Sequence, residues 1–302
     1  MSDLTKPAAR LDRPRSLGAD AWDEMRRRPM FWVAACLVAL FLLIGLFPGL
    51  FTSIDPKMCD LALSRQAPRA GAIFGYDMQG CDIFARTIYG ARSSILIGIA
   101  AAMVAALLGG TLGTIAGYVG GAVDAVLSRI ADIFFTIPML LGAIVLMSAV
   151  PIETDTGYHL IILRVVVVLA LFNWPNIFRL MRASVIQVKP NEYVQAARAL
   201  GANPVRVVTS HIVPNSLTPL IVVSTIDLGS YIATEATLSF LGIGLPGSVV
   251  SWGRDISAAS GLGFIRNAPH MLLFPAGALC LTVLAFILLS EVVRDALDPK
   301  LR

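Results

Sequence analysis

The chain has 302 residues, 56% of them hydrophobic and 15% charged, whereas a soluble domain carries about 45–50% apolar and about 25% charged residues. Its mean hydropathy is +0.75. The apolar residues fall in long blocks and there are only four cysteines, so a soluble globular domain, a disordered or collagenous chain and a disulfide-dense secreted chain are excluded. The net charge of +4 suits an anionic membrane leaflet, and nothing in it calls for a nucleic-acid partner.

Residues 1–30 read as a polar tail. Within it, Ala21–Arg28 sets Trp22 and Met25 against Arg26, Arg27 and Arg28, which fits a short helix on the membrane surface and fits a solvated arm equally. A helix crossing the hydrocarbon needs about 20 mostly apolar residues. Phe31–Phe51 is the first block of that kind; a polar tail before it and further blocks after it make it a signal anchor, not a cleaved peptide, so the mature chain is expected to begin near Met1. Residues 52–94 form a long loop, and a five-helix core over 95–291 follows, with spans at Ile95–Ala116, Ile133–Val150, Tyr158–Trp174, Leu217–Leu241 and Met271–Leu289. The fourth is short and carries Arg164, but without it the flanks of the Pro151–Tyr158 loop fall on inconsistent sides. Residues 292–302 form a second tail. The fold class is therefore all-α and integral to the membrane, with six transmembrane helices. With the N-terminus inside, 16 Lys and Arg lie on the cytoplasmic side and 7 outside, so both termini are expected in the cytoplasm.

Several residues inside these spans ask for explanation. Gly109, Gly113 and Gly117 form a small-residue ridge on span two, suited to close packing within the subunit or against a second one. Pro138 is expected to kink span three. Asp227 and Glu235 in span five and Arg164 in span four are costly in hydrocarbon and must face protein or water. They fit a polar translocation pathway and also an internal Arg–carboxylate bridge. Cys36 and Cys280 lie in spans as small packing residues. Cys59 and Cys81 share the outer loop, where disulfides are permitted, and are expected to pair.

The loop Pro175–Asn215 is too long for a turn. Its stretch from Pro190 to Gly201 opens with Pro and Asn and closes on Gly, with Tyr193, Ala196, Ala197 and Leu200 at helical spacing. A second helical stretch, Pro204–Ile212, ends at Pro214. Alanines on the contact face allow close approach of another protein, with Arg198 and Arg206 at the rim; by periodicity, a helix lying on headgroups fits as well.

At this point the residues resemble a known family. Gln195-Ala196-Ala197, Gly201 and His211-Ile-Val-Pro214-Asn215 look like the cytoplasmic EAA loop of ABC importer permeases. Phe74-Gly-Tyr-Asp77, Gly80-Cys-Asp82, Gly90-Ala-Arg-Ser-Ser-Ile95, Gly117-Tyr-Val-Gly-Gly-Ala-Val-Asp124, Arg129-Ile-Ala-Asp132, Ile137-Pro138, Glu235-Ala-Thr-Leu-Ser-Phe-Leu-Gly-Ile-Gly244, Ser251-Trp-Gly253 and the ending Arg294–Arg302 are similar, in this order, to the peptide-type permeases. The resemblance covers roughly residues 20–302 and points to the second, C-type permease of a dipeptide/oligopeptide importer of type I architecture. The family's EAA glutamate is Gln195 here, with Glu192 nearby; its outer GRD arginine is Cys81, its FGTD threonine is Tyr76, and Leu289-Ser-Glu291 replaces Leu-Gly-Asp.

The resemblance implies a coupling helix at Asn191–Gly201, extending towards Asn215, that docks on a P-loop ATPase subunit through Glu192, Gln195, Ala196, Ala197, Gly201, His211, Pro214 and Asn215. It also implies a second homologous permease, an external substrate-binding protein, and ATP with Mg held by the partner subunits. No cofactor is expected in this chain. None of its four lysines follows a glycine as a phosphate-cradling loop requires. Gly242–Gly247 fits G-x-G-x-x-G but follows an apolar helix and opens no βαβ unit. His159, His211 and His270 have no metal-ligand spacing, and no catalytic residue is expected. An ion-coupled secondary transporter using Arg164, Asp227 and Glu235 is the alternative, although such proteins commonly carry internal repeats.

Overall fold

A computed structural model describes residues 17–150 and 156–297. Most of the N-terminal tail, part of the Pro151–Tyr158 loop and the last five residues lie outside the described residues. In chain order the helices are α1 (Leu17–Arg27), α2 (Pro29–Leu46), α3 (Ile83–Val119), α4 (Gly121–Thr136), α5 (Met139–Ala149), α6 (Tyr158–Val188), α7 (Glu192–Ala199), α8 (Pro204–Val207), α9 (Val213–Phe240), α10 (Trp252–Ala259), α11 (Leu262–Asn267) and α12 (His270–Leu297). A π-helical turn, Val208–Ile212, joins α8 to α9. Among the described residues, five helical runs are long and apolar enough to cross a membrane, and α4 with α5, bent by 85°, gives a sixth span when taken together.

The bundle is built around α3. It packs on α6, α9 and α2, while α12 packs on α9 and α2. The main core lies between α3, α5, α6 and α9, with Ile97, Val165, Leu169, Ile177 and Tyr231 buried in it. Lipid tails give helices no hydrophobic reason to associate, so close contact of small residues matters more than in water. The Gly109 ridge settles against α6: a Cβ at Gly109, Gly113 or Gly117 would stand 2.6, 2.6 and 2.9 Å from the carbonyl oxygens of Trp174, Phe178 and Arg182. Both helices advance four residues per contact in the same sense, so α3 and α6 run parallel, with α4 and α5 returning the chain between them. Of the two packings open to the ridge, the structure shows the one within the subunit.

Several boundaries differ from the sequence expectation. The helix of span two, α3, begins at Ile83, twelve residues before Ile95, because Asp82 caps it by accepting from the Ala85 N–H at 2.8 Å. Its first turns are too polar for a hydropathy window. Likewise α6 continues through Pro175 to Val188, so the first third of the expected 175–215 loop is helix. Pro175 removes one backbone donor without ending the helix, since Trp174, Ile177 and Phe178 are packed on both sides of it. Pro138 does more than kink span three; with Ile137 it breaks the helix outright. Finally, α2 ends at Leu46, before Pro48, and α12 continues through the expected tail to Leu297.

Arg28, at the start of α2, donates to Asp295 of α12 at 2.6 Å and to Glu24 at 3.1 Å. These contacts hold the guanidinium above its ordinary pKa and place the two ends of the described chain at one end of the bundle. That end also carries α7 and α8. The opposite end carries the segment 47–82 together with α10 and α11.

Candidate functional site

The segment after α6 combines regular local structure with exposed apolar side chains. Asn191, in extended conformation, precedes α7, and the helix stops at Gly201, whose φ of +84° a residue with a Cβ rarely adopts. The N–H of Ala202 returns to the Ala197 carbonyl at 3.1 Å and that of Gly201 to Arg198 at 2.9 Å, closing the C-terminus. Asn203 then caps α8 by accepting from the Arg206 N–H. The π turn ends at Ile212, two residues before Pro214, whose missing N–H deprives the preceding turn of its regular donor.

One side of this segment is nailed down. Val194, Val207 and Ile212 are fully buried against Met181 and Val185 of α6. The other side is open: Glu192, Gln195, Ala196 and Gly201 are exposed, Ala197 is half-buried, and the apolar side chains of Leu200, Val205 and Tyr193 are 89%, 70% and 42% exposed. Gln195 donates to the Lys189 carbonyl at 3.4 Å. His211 is half-buried in the π turn; Pro214 and Asn215 are exposed, and Asn215 donates to the His211 carbonyl at 2.7 Å. Of the eight residues expected in the coupling segment, six are thus exposed, and Ala197 and His211 are half-buried. Arg198 does not stand at the rim as expected but folds inward, its guanidinium 5.3 Å from the Tyr118 ring centroid.

The three intramembrane charges are not brought together. Arg164 donates to the Met147 carbonyl near the end of α5, and its Nε is buried without a partner, so of the two readings of these charges the internal Arg–carboxylate bridge is absent among the described residues. Its backbone partner lies close because the bent α4–α5 pair brings the end of α5 beside α6. Asp227, half-buried, accepts from Asn173 Nδ2 at 3.0 Å; Asn173 also donates to the Tyr231 hydroxyl at 2.7 Å and accepts from Asn176 at 2.7 Å. Glu235 is completely buried, accepting from Ser94 of α3 at 3.0 Å and from Ser239 at 2.8 Å. Ser239 in turn accepts from the Leu245 N–H, so the carboxylate ties α3, α9 and the following loop together.

At the opposite end, the segment before α3 is held compactly. Cys59 and Cys81 are joined by a disulfide across 22 positions, Asp77 accepts from the Gln79 and Cys81 N–H groups, and Phe74 stacks on Phe274 of α12 with ring centroids 3.7 Å apart. Arg86 joins Asp77 at 3.4 Å and makes a shorter ion pair with Asp255 of α10. Burial pushes the Asp255 carboxyl above the usual carboxylate range, and the Arg86 guanidinium works against this. Sequence reasoning passed over Asn173, Tyr231 and Tyr118. Asn173 was visible as an uncharged polar residue inside an apolar run, whereas the other two carry no signal apart from the helices they meet.

Comparison with known proteins follows this geometry. The family model described as binding-protein-dependent transport system inner membrane component matches residues 109–302, and the model for the N-terminal TM domain of oligopeptide transport permease C matches residues 16–68. The chain is similar to the oligopeptide transport system permease protein OppC of Bacillus subtilis, 38% identical over 95% of this chain and 91% of that protein. It is also similar to the dipeptide transport system permease protein DppC of Alkalihalophilus pseudofirmus, 35% identical over 94% and 90%. Its fold is similar to a chain of the MetNI methionine ABC transporter in inward-facing conformations, with a TM-score of 0.54, 18% identity, and 70% of this chain and 96% of that chain covered. With the family model matched over residues 109–302 and 38% identity over 95% of the chain, the apolar bundle of up to six spans belongs to the family of binding-protein-dependent transport system inner membrane components, as a permease subunit of an ABC importer.

Proposed function

We propose that this permease forms half of the translocation pathway of a peptide importer, with α7, α8 and both termini in the cytoplasm and the disulfide-bonded segment outside. A homologous permease supplies the other half. An external binding protein delivers the peptide, and one or two P-loop ATPase subunits, which hold ATP and Mg, dock on the strip from Glu192 to Asn215. Dipeptide or oligopeptide cargo is supported by what the similar OppC and DppC proteins are named for.

The observation that carries this reading is the open side of α7. Leu200 and Val205 are left exposed on a segment whose other side is fully anchored by Val194, Val207 and Ile212, and exposed apolar residues on a rigid, shaped surface mark a partner's place. The ion-coupled alternative is not favoured, because Arg164 is bound to a backbone carbonyl and Glu235 is enclosed between two serines. Deleting Glu192–Gly201 is expected to abolish ATP-driven peptide uptake while the protein still inserts in the membrane. Unchanged uptake would refute the assignment.

A further inference from the structure

The coupling strip touches the rest of the subunit at one place that the packing of α7 on α6 does not require. Tyr118 is the penultimate residue of α3. Two cations from beyond the end of α6 converge on it: Lys189, just before α7, donates from Nζ to the Tyr118 carbonyl at 2.6 Å and stands 5.7 Å from the ring centroid, and Arg198, within α7, lies over the same ring at 5.3 Å. Arg198 Nε is buried with no hydrogen-bond partner. The guanidinium is therefore held by the ring, a contact that gains strength as water is excluded.

The backbone beyond Tyr118 is made to turn. Gly120 and Gly121 both have positive φ, +75° and +56°, with nothing within 4 Å of a Cβ built on either; glycine is needed there for rotation and not for space. Past this turn α4 is bound to α6 by Asp124–Arg182 and Asp132–Arg179. Upstream, α3 is locked to α6 along the glycine ridge. The end of α3 is thus gripped by the coupling strip on one side of a two-glycine joint, and α4 is gripped by α6 on the other.

We infer that Tyr118 is where movement of the coupling strip reaches α3: α7 is packed on α6 through Val194, Val207 and Ile212, Arg198 and Lys189 clasp Tyr118 as well, so a displacement of α7 carries the end of α3 along with α6, and Gly120 and Gly121 absorb the rotation between α3 and α4. Tyr118 is a positioning residue that contacts neither nucleotide nor cargo. The inference rests on the proposed docking of an ATPase on α7.

The test uses the complete importer, reconstituted in proteoliposomes with its receptor, and follows uptake of labelled Ala-Ala-Ala and ATP hydrolysis in the same vesicles. Tyr118→Leu is expected to keep the ATPase subunits bound and hydrolysing while uptake per ATP falls about tenfold, in keeping with the loss of two part-buried cation–π contacts. Tyr118→Phe, which retains the ring, is expected to restore the wild-type ratio. Should Tyr118→Leu fail to accumulate, Arg198→Gln serves in its place and, removing one of the two contacts, is expected to lower uptake per ATP about threefold. Wild-type uptake per ATP in Tyr118→Leu or Arg198→Gln, or failure of Tyr118→Phe to rescue, overturns the clasp. Absence of ATP-dependent uptake by the wild-type complex would instead overturn the proposed function, and the clasp with it.

Discussion

The contact between α3 and α6 permits a prediction whose size follows from the coordinates. A methyl group placed on Gly113 would stand 2.6 Å from the Phe178 carbonyl oxygen, 3.0 Å from Met181 Cβ and 3.1 Å from the Arg182 nitrogen. Carbon–oxygen contacts of this kind are comfortable from about 3.3 Å, so Gly113→Ala forces the helices about 0.7 Å apart or distorts one of them. Two of the three obstacles are backbone atoms, which cannot rotate away. Overpacking of this kind costs about 1–3 kcal/mol, offset by up to about 1 kcal/mol from the better helix propensity of alanine. Gly110→Ala, three residues away on the same helix, is the matched control, since its nearest obstacle is the tip of the Leu220 side chain at 3.4 Å. Equilibrium unfolding in mixed detergent micelles, followed by tryptophan fluorescence, should show Gly113→Ala destabilised and Gly110→Ala neutral or stabilised. If the two variants unfold alike, the glycine ridge is not what holds α3 to α6.

Two further perturbations probe the opposite end and the middle of the bundle. Alkylation without reduction should label Cys36 and Cys280 but neither Cys59 nor Cys81; opening the bond by Cys59→Ser should destabilise the segment before α3 by roughly 3 kcal/mol in the chain-entropy description, and labelling of all four thiols before reduction would contradict this. Glu235→Ala removes the acceptor shared by Ser94 and Ser239 and leaves a cavity, an expected loss of about 2–4 kcal/mol, whereas Glu235→Gln, which keeps one acceptor and the volume, should lose less. A fully stable Glu235→Ala that alters only cargo kinetics would return this residue to the translocation pathway.

Much of this architecture is written in short-range patterns. Each apolar block read from hydropathy falls on a helical run long enough to cross or, for the third, on the bent α4–α5 pair, because about 20 apolar residues in succession have few other uses, and the Pro–Asn start and Gly201 stop framed α7 to within two residues. The boundaries that moved did so for local reasons that hydropathy does not see: Asp82 caps α3 before its apolar region begins, and Pro175 is carried through α6 by packing on both sides. The glycine ridge announced a close contact but not its partner, since small residues state a distance and not a direction. The charged trio misled most. Arg164, Asp227 and Glu235 invited pairing with one another, yet each found a nearer partner in a backbone carbonyl, an asparagine and two serines. Asn173 and Ser239, uncharged polar residues inside apolar runs, were the signal for two of those partners, whereas Ser94 stands just ahead of its run. The clasp on Tyr118 joins residues more than seventy positions apart and becomes visible only once the ends of α3 and α6 are side by side.

The central claim is that this subunit works by docking other subunits on the strip from Glu192 to Asn215. Extracting the tagged protein in mild detergent from its native membrane and identifying the chains that accompany it by mass spectrometry tests this most directly. A second permease and one or two P-loop ATPases are expected with the intact chain, and the ATPases are expected to be lost when Leu200 and Val205 are both changed to Asp. Recovery of the intact chain alone, stable and able to move solute after reconstitution without any ATPase, would contradict it.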